Sequence, residues 1–193
     1  MKLRLFAAVV FLALTTAASH AQIGLYLNPV AIRVSDSVAD SGPFAFLGQN
    51  AKSNVFYGVD FGGYDDFFHM PNGISVGIDL RQSVLHADNA ALKEFMFGLR
   101  VSAKPFTRPI KPYLQASVGA GATKAPTSSV SVKKVDYRIF AGADYTIQKH
   151  IDFRMFEVGY GALPTISSDT VGGTLSVPSA KMLNFSTGLV FRF

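Results

Sequence analysis

From Gln22 onward, apolar and polar side chains alternate with a period of two, the repeat of a β-strand and not of a helix. In Ser53–Gly63, Val55, Tyr57, Val59 and Phe61 fall on one face, and Phe56, Gly58, Asp60 and Gly62 on the other. In Gly73–Ser83, Ile74, Val76, Ile78 and Leu80 oppose Ser75, Gly77, Asp79 and Arg81. In Leu92–Ser102, Phe95, Phe97, Leu99 and Val101 oppose Glu94, Met96, Gly98, Arg100 and Ser102. The same rhythm marks Pro112–Ala122, Val135–Ile147, Ile151–Gly161 and Met182–Phe193, and more loosely Ile23–Val34, which carries Pro29. These eight segments have about 9–13 residues each, against the roughly 9–11 that cross a bilayer as tilted strands.

The connections alternate as well. If both termini lie on one side, the connections on the opposite side total 58 residues and those on the terminal side 21. Ser35–Lys52, Thr123–Lys134 and Ala162–Lys181 are the long ones, rich in Ser, Thr, Gly and Asp. Long loops on one side and short turns on the other characterise membrane barrels. No linker or second domain is expected; the barrel domain is assigned to 22–193.

Composition sharpens this picture. Charged residues make up 16% of the chain, well below the roughly 25% of a soluble domain. Mean hydropathy is +0.26. Yet the longest apolar run, Leu5–Leu14, is too short for a transmembrane helix of about 18 residues or more. It follows Met1-Lys2-Leu3-Arg4 and precedes Ser19-His20-Ala21, so residues 1–21 read as a signal peptide cleaved before Gln22. The remainder carries 16 basic and 13 acidic residues, too even a balance for nucleic acid. With no Cys, nothing is cross-linked.

An apolar outer face without covering helices needs lipid, and only a closed barrel leaves no unpaired edge there. The predicted fold is therefore all-β, an eight-stranded antiparallel up-and-down transmembrane β-barrel. Tyr57, Tyr64, Phe67, Phe68, Phe106, Tyr145, Phe153 and Tyr160 lie near strand ends, suited to interfacial girdles. An eight-stranded interior is just wide enough for its own side chains. The charges expected inside are Asp60, Asp79, Glu94, Asp136, Asp144 and Glu157 against Arg81, Arg100, Arg138, Arg154 and Arg192. Such a balanced set predicts a paired network with glycines making room for Arg, and not a selective pore.

Three segments resemble the small eight-stranded outer-membrane barrels of the OmpA-like, OmpX-like and Opa-like type. Pro112–Gly121 is similar to their fifth strand, and Asp152–Tyr160 to their seventh, in which Arg154 and Glu157 would point inward. That spacing of three implies a bulge near Met155-Phe156. Leu189, Phe191 and Phe193 resemble the terminal signature read by the barrel-assembly machinery. The resemblance implies a monomer in the outer-membrane lipid of a Gram-negative-type cell, with periplasmic termini and extracellular loops. It implies binding or adhesion through the loops; the peptidoglycan-binding domain that some relatives carry is not expected in this sequence, nor is wall tethering.

Other chemistry is thinly represented. Of four His residues, His20 falls in the signal peptide, His69 and His150 in turns and His86 in a loop, without zinc-ligand spacing. Gly119-x-Gly121 lacks the third glycine and the helix of a dinucleotide motif. No metal, cofactor or catalytic residue is assigned. The best hydrolytic candidates, for a lipid-modifying enzyme, are Ser83, His86 and Glu94 around one hairpin. Asp65-Asp66 reads as a solvated turn, and the Asn184-Phe-Ser186 triplet as chance. A secreted soluble barrel with an apolar ligand is the alternative; it would need apolar residues inside and polar ones outside.

Overall fold

The structure, a computed structural model, describes residues 22–42, 45–104, 109–164 and 179–193. The signal-peptide assignment, Phe106 and most of the last long connection lie outside these residues. Eight strands form: β1 (Gln22–Asp40), β2 (Ala51–His69), β3 (Ile74–Ala87), β4 (Ala90–Ala103), β5 (Ile110–Lys124), β6 (Ser131–Gln148), β7 (Ile151–Pro164) and β8 (Ser179–Arg192). Each pairs antiparallel with the next, and β8 pairs with β1 to close the ring.

The register fixes the shape. Partners followed around the ring run Gly63, Leu80, Phe97, Val118, Tyr137, Ala162, Lys181, Ser35 and Ser53. The path returns to β2 ten residues from its start (63 to 53). With about 3.3 Å per residue and about 4.8 Å between strands, that stagger corresponds to a strand tilt of about 40°. The ring is then in the size range that interior side chains can fill.

The strands outrun the sequence expectation at both ends. β1 and β2 absorb eight residues of Ser35–Lys52, leaving 41–50 between them; β5 and β6 leave only 125–130. The expected Val84–Ala91 loop shrinks to Asp88-Asn89, with Asp88 at φ 46°. His86 therefore belongs to β3 and His69 to the end of β2, not to loops. The reason is physical: beyond the apolar wall the outward positions at the loop end turn polar, as at His86 and Lys93, so the alternation reverses or fades while pairing continues.

Outward positions remain apolar around the ring, with Leu99, Leu114, Ile139 and Tyr160 each more than half exposed. Two bulges adjust the facing. In β7, Arg154 and Phe156 pair with Asp144 and Ala143, leaving Met155 over, so Arg154 and Glu157 both turn inward three residues apart. In β2, the register slips between Asp65 and Phe68, so the adjacent Phe67 and Phe68 both face out while Asp66 is buried. Asp66 is thus not a solvated turn residue. Its carboxylate accepts a hydrogen bond from Ser102 Oγ at 3.1 Å.

Leu189 and Phe191 face outward along the β1–β8 seam, opposite Leu27 and Leu25. The Phe193 N–H donates to Ile23 O at 3.0 Å.

Candidate functional site in the barrel lumen

Inward side chains stack in three tiers, from the terminal end of the barrel to the loop end. At the terminal rim, Asp152 is held by Lys111 Nζ at 2.9 Å and Arg192 Nε at 2.7 Å. Arg192, expected inside, is at this rim and partly exposed.

The middle tier centres on Glu157, fully buried on β7. Arg81 clasps it with both terminal nitrogens, at 2.6 and 2.7 Å. Tyr113 Oη donates to it at 2.6 Å, Ser186 Oγ at 3.0 Å and Arg154 Nη1 at 3.4 Å. Arg81 also reaches Asp60 at 3.3 Å, and its Nε donates to Tyr26 Oη at 3.2 Å. Asp79 accepts from Tyr26 Oη at 3.1 Å and from Gln115 Nε2 at 2.8 Å. Asp144 links Arg154 Nε, at 2.9 Å, to Arg100 Nη2, at 3.0 Å. The Arg100 guanidinium lies over the rings of Tyr113 and Tyr64, 3.7 and 4.1 Å from their centroids, a cation–π arrangement. Toward the loops, Arg138 contacts both Asp136 and Glu94.

Ten of the eleven charges singled out from the sequence therefore lie in one lumen, each no more than 3% exposed. Ions so placed persist only when paired and hydrogen-bonded. The described glycines make room for aromatic side chains and for the backbone of neighbouring strands more often than for arginines. A Cβ on Gly142 would lie 2.6 Å from Tyr113 Cζ and Oη, and one on Gly159 2.6 Å from Phe140. Among the described glycines only Gly161 makes way for an arginine side chain, that of Arg138.

Sequence reasoning missed two things. The rim residues Lys111, Asp152 and Asp66 were left without a role, because strand ends carry a weak signal. The loop end of the lumen is mainly apolar. Val30, Ile32, Val34, Phe56, Leu85 and Leu92 form an apolar cluster with Leu163 and Met182, and Phe46 and Leu47 from the first loop join it. Phe46 stacks on Phe56 with centroids 4.7 Å apart. Inward apolar residues in β1 at 30, 32 and 34 were the available clue, obscured by Ala31 and Pro29 on the other face.

The hydrolytic candidates are not brought together. Ser83 and Glu94 are cross-strand partners buried in the lumen, whereas His86 is exposed on the outer wall. Among the described residues no group of three His, Cys, Asp or Glu is arranged to hold a metal.

No protein-family model matches the chain, and a sequence search of curated proteins finds no match. Its backbone is similar to solved structures. Neisserial surface protein A superposes with TM-score 0.58 and 14% identity, covering 89% of this chain and 97% of that one. Ail, the attachment invasion locus protein of Yersinia pestis, gives TM-score 0.53 and 12% identity over 90% and 99% of the two chains. This chain has the eight-stranded barrel fold of those proteins.

Proposed function

We propose that the chain is a monomeric integral outer-membrane protein whose lumen is a structural plug and whose loops carry binding or adhesion. The carrying observation is the inversion of surface chemistry: an apolar outer belt, including Leu99, Leu114, Ile139 and Tyr160, around buried, paired charges. In this reading residues 1–21 are removed on export, and Leu189, Phe191 and Phe193 guide insertion by the barrel-assembly machinery. The termini are periplasmic and the connections 41–50, 125–130 and 165–178 extracellular. The paired lumen and the apolar cap above it favour a protein that works by display over one that conducts, since loops on a rigid scaffold are suited to recognition. The fold shared with Ail, named for attachment, agrees with this reading. A soluble ligand-binding barrel is disfavoured because its outer wall would have to be polar.

Membrane fractionation with gel mobility before and after boiling tests the proposal, together with conductance in planar bilayers. The expected result is an outer-membrane protein with a boiling-dependent shift and no steady conductance. A soluble protein without a shift overturns the membrane assignment, and a stable open channel overturns the plug.

A further inference from the structure

The outer wall is not uniformly apolar. On β4, β5 and β6, Lys93, Ala122 and Lys133 are consecutive cross-strand partners, and Lys124 follows two residues beyond Ala122. All three lysines are exposed. Two strand spacings put the Cα atoms of Lys93 and Lys133 about 10 Å apart. The carboxylates nearest in sequence turn the other way: Glu94 and Asp136 are buried in the lumen with Arg138. Among the described residues, no ion pair or side-chain hydrogen bond engages Lys93, Lys124 or Lys133. The next outward residues below them are Phe95, Ala120 and Val135, the start of the apolar wall.

Beside this patch the wall is grooved. A cavity of about 530 Å³ is lined by Tyr137, Ala162 and Lys181 in its upper row, and by Ala116, Ile139 and Tyr160 in its lower row. The small side chains of Ala162 and Ala116 leave the depression, and Lys181 stands at its loop-side margin. Lys133 precedes Tyr137 by four residues on the same strand, about 13 Å along it.

We infer that this surface is a binding site for a phosphate-bearing lipid of the loop-side leaflet. Lys93, Lys124 and Lys133 hold the headgroup phosphate, and an acyl chain lies in the groove under Lys181. Three neighbouring ammonium groups that meet no counter-charge among the described residues repel one another, and an anionic headgroup at the top of the apolar wall relieves that repulsion. An acyl chain extending from that level meets an aromatic-walled channel on the same side of the barrel. This inference rests on the membrane reading above.

The test is native mass spectrometry of the full chain, refolded in non-ionic detergent, with phosphatidylglycerol, phosphatidylcholine of the same chains, or inorganic phosphate. The parent protein is expected to retain phosphatidylglycerol roughly 10-fold or more over phosphatidylcholine, because each lysine adds severalfold to anionic-lipid attraction. Lys93→Gln/Lys124→Gln/Lys133→Gln abolishes that preference, and Lys149→Gln, at the terminal end, preserves it. Ala116→Phe, which fills the groove without changing charge, lowers retention of both lipids. Equal phosphatidylglycerol retention by the parent and the triple variant overturns the site. Binding of inorganic phosphate as strong as that of the lipid overturns its assignment to lipid. The boiling-dependent gel shift, read on every variant, separates failure of the site from failure of the membrane reading.

Discussion

The two halves of the lumen reach the same degree of burial by opposite chemistry. In the middle tier, Arg81, Arg154 and Glu157 are each no more than 1% exposed, and each depends on a partner on another strand or across the β7 bulge. At the loop end, Ile32, Phe56, Leu85 and Leu92 are equally buried and need no specific partner at all. The charged tier is directional, since each bond fixes which strand faces which. The apolar cap is tolerant, since any side chain of similar volume fills it. A single defect should therefore cost more in the first than in the second.

The sharpest break is Glu157→Leu. It removes the common acceptor of Arg81, Arg154, Tyr113 and Ser186 and leaves two buried guanidinium groups underpaired. Removing one member of a buried pair costs about 3–5 kcal/mol. Urea unfolding in detergent, followed by the gel shift, should show a loss of that size. Replacing the pair together, Arg81→Met with Glu157→Met, should recover much of it. If the single and double variants are equally damaged, the network is no more directional than the cap.

Leu92→Ala probes the other half. It empties space in a cluster of apolar side chains, and such truncations cost about 2–4 kcal/mol. Leu92→Met, by contrast, should be nearly silent, because volume is what the cap requires. The same urea titration distinguishes them. A Met variant as damaged as the Ala variant would show the cap to be as specific as the charges below it.

The contrast also explains what could be read from the chain. Where one face meets lipid and the other a charged lumen, alternation is strong, and Arg81, Arg100 and Glu94 fall on the inner side by parity alone. Glu157 needed the bulge at Met155 as well, legible because two charged residues three apart must share a face. The cap was illegible because apolar residues then occupy both faces, as from Pro29 to Val34, and parity loses its contrast. Phe46 and Leu47 lie outside any strand, where no periodicity exists to place them. The strand ends faded for the converse reason, with polar residues on both faces, and Asp66, Lys111 and Asp152 went with them.

Gly142→Ala tests the space between tiers. Its Cβ would stand 2.6 Å from Tyr113 Cζ and Oη and 2.8 Å from Phe156 O. The ring cannot move freely, since its hydroxyl holds Glu157 and its face holds Arg100. Overpacking of this kind costs about 1–3 kcal/mol, read by the same unfolding titration. A neutral result would show the Tyr113–Glu157 bond to be dispensable.

At the terminal rim the directional logic should weaken, because water reaches the pairs. Asp152 is buried but has two cations, Lys111 at 2.9 Å and Arg192 at 2.7 Å, each only partly buried. Lys111→Met leaves Asp152 its arginine and should cost less than about 1 kcal/mol in the urea titration, the scale of solvent-accessible pairs. Asp152→Asn instead leaves two neighbouring cations without their shared acceptor, and should cost more than Lys111→Met at low salt, with the gap closing as salt is raised. If Lys111→Met proves as damaging as Glu157→Leu, the rim belongs with the buried network, and pairing there is as directional as at the centre of the barrel.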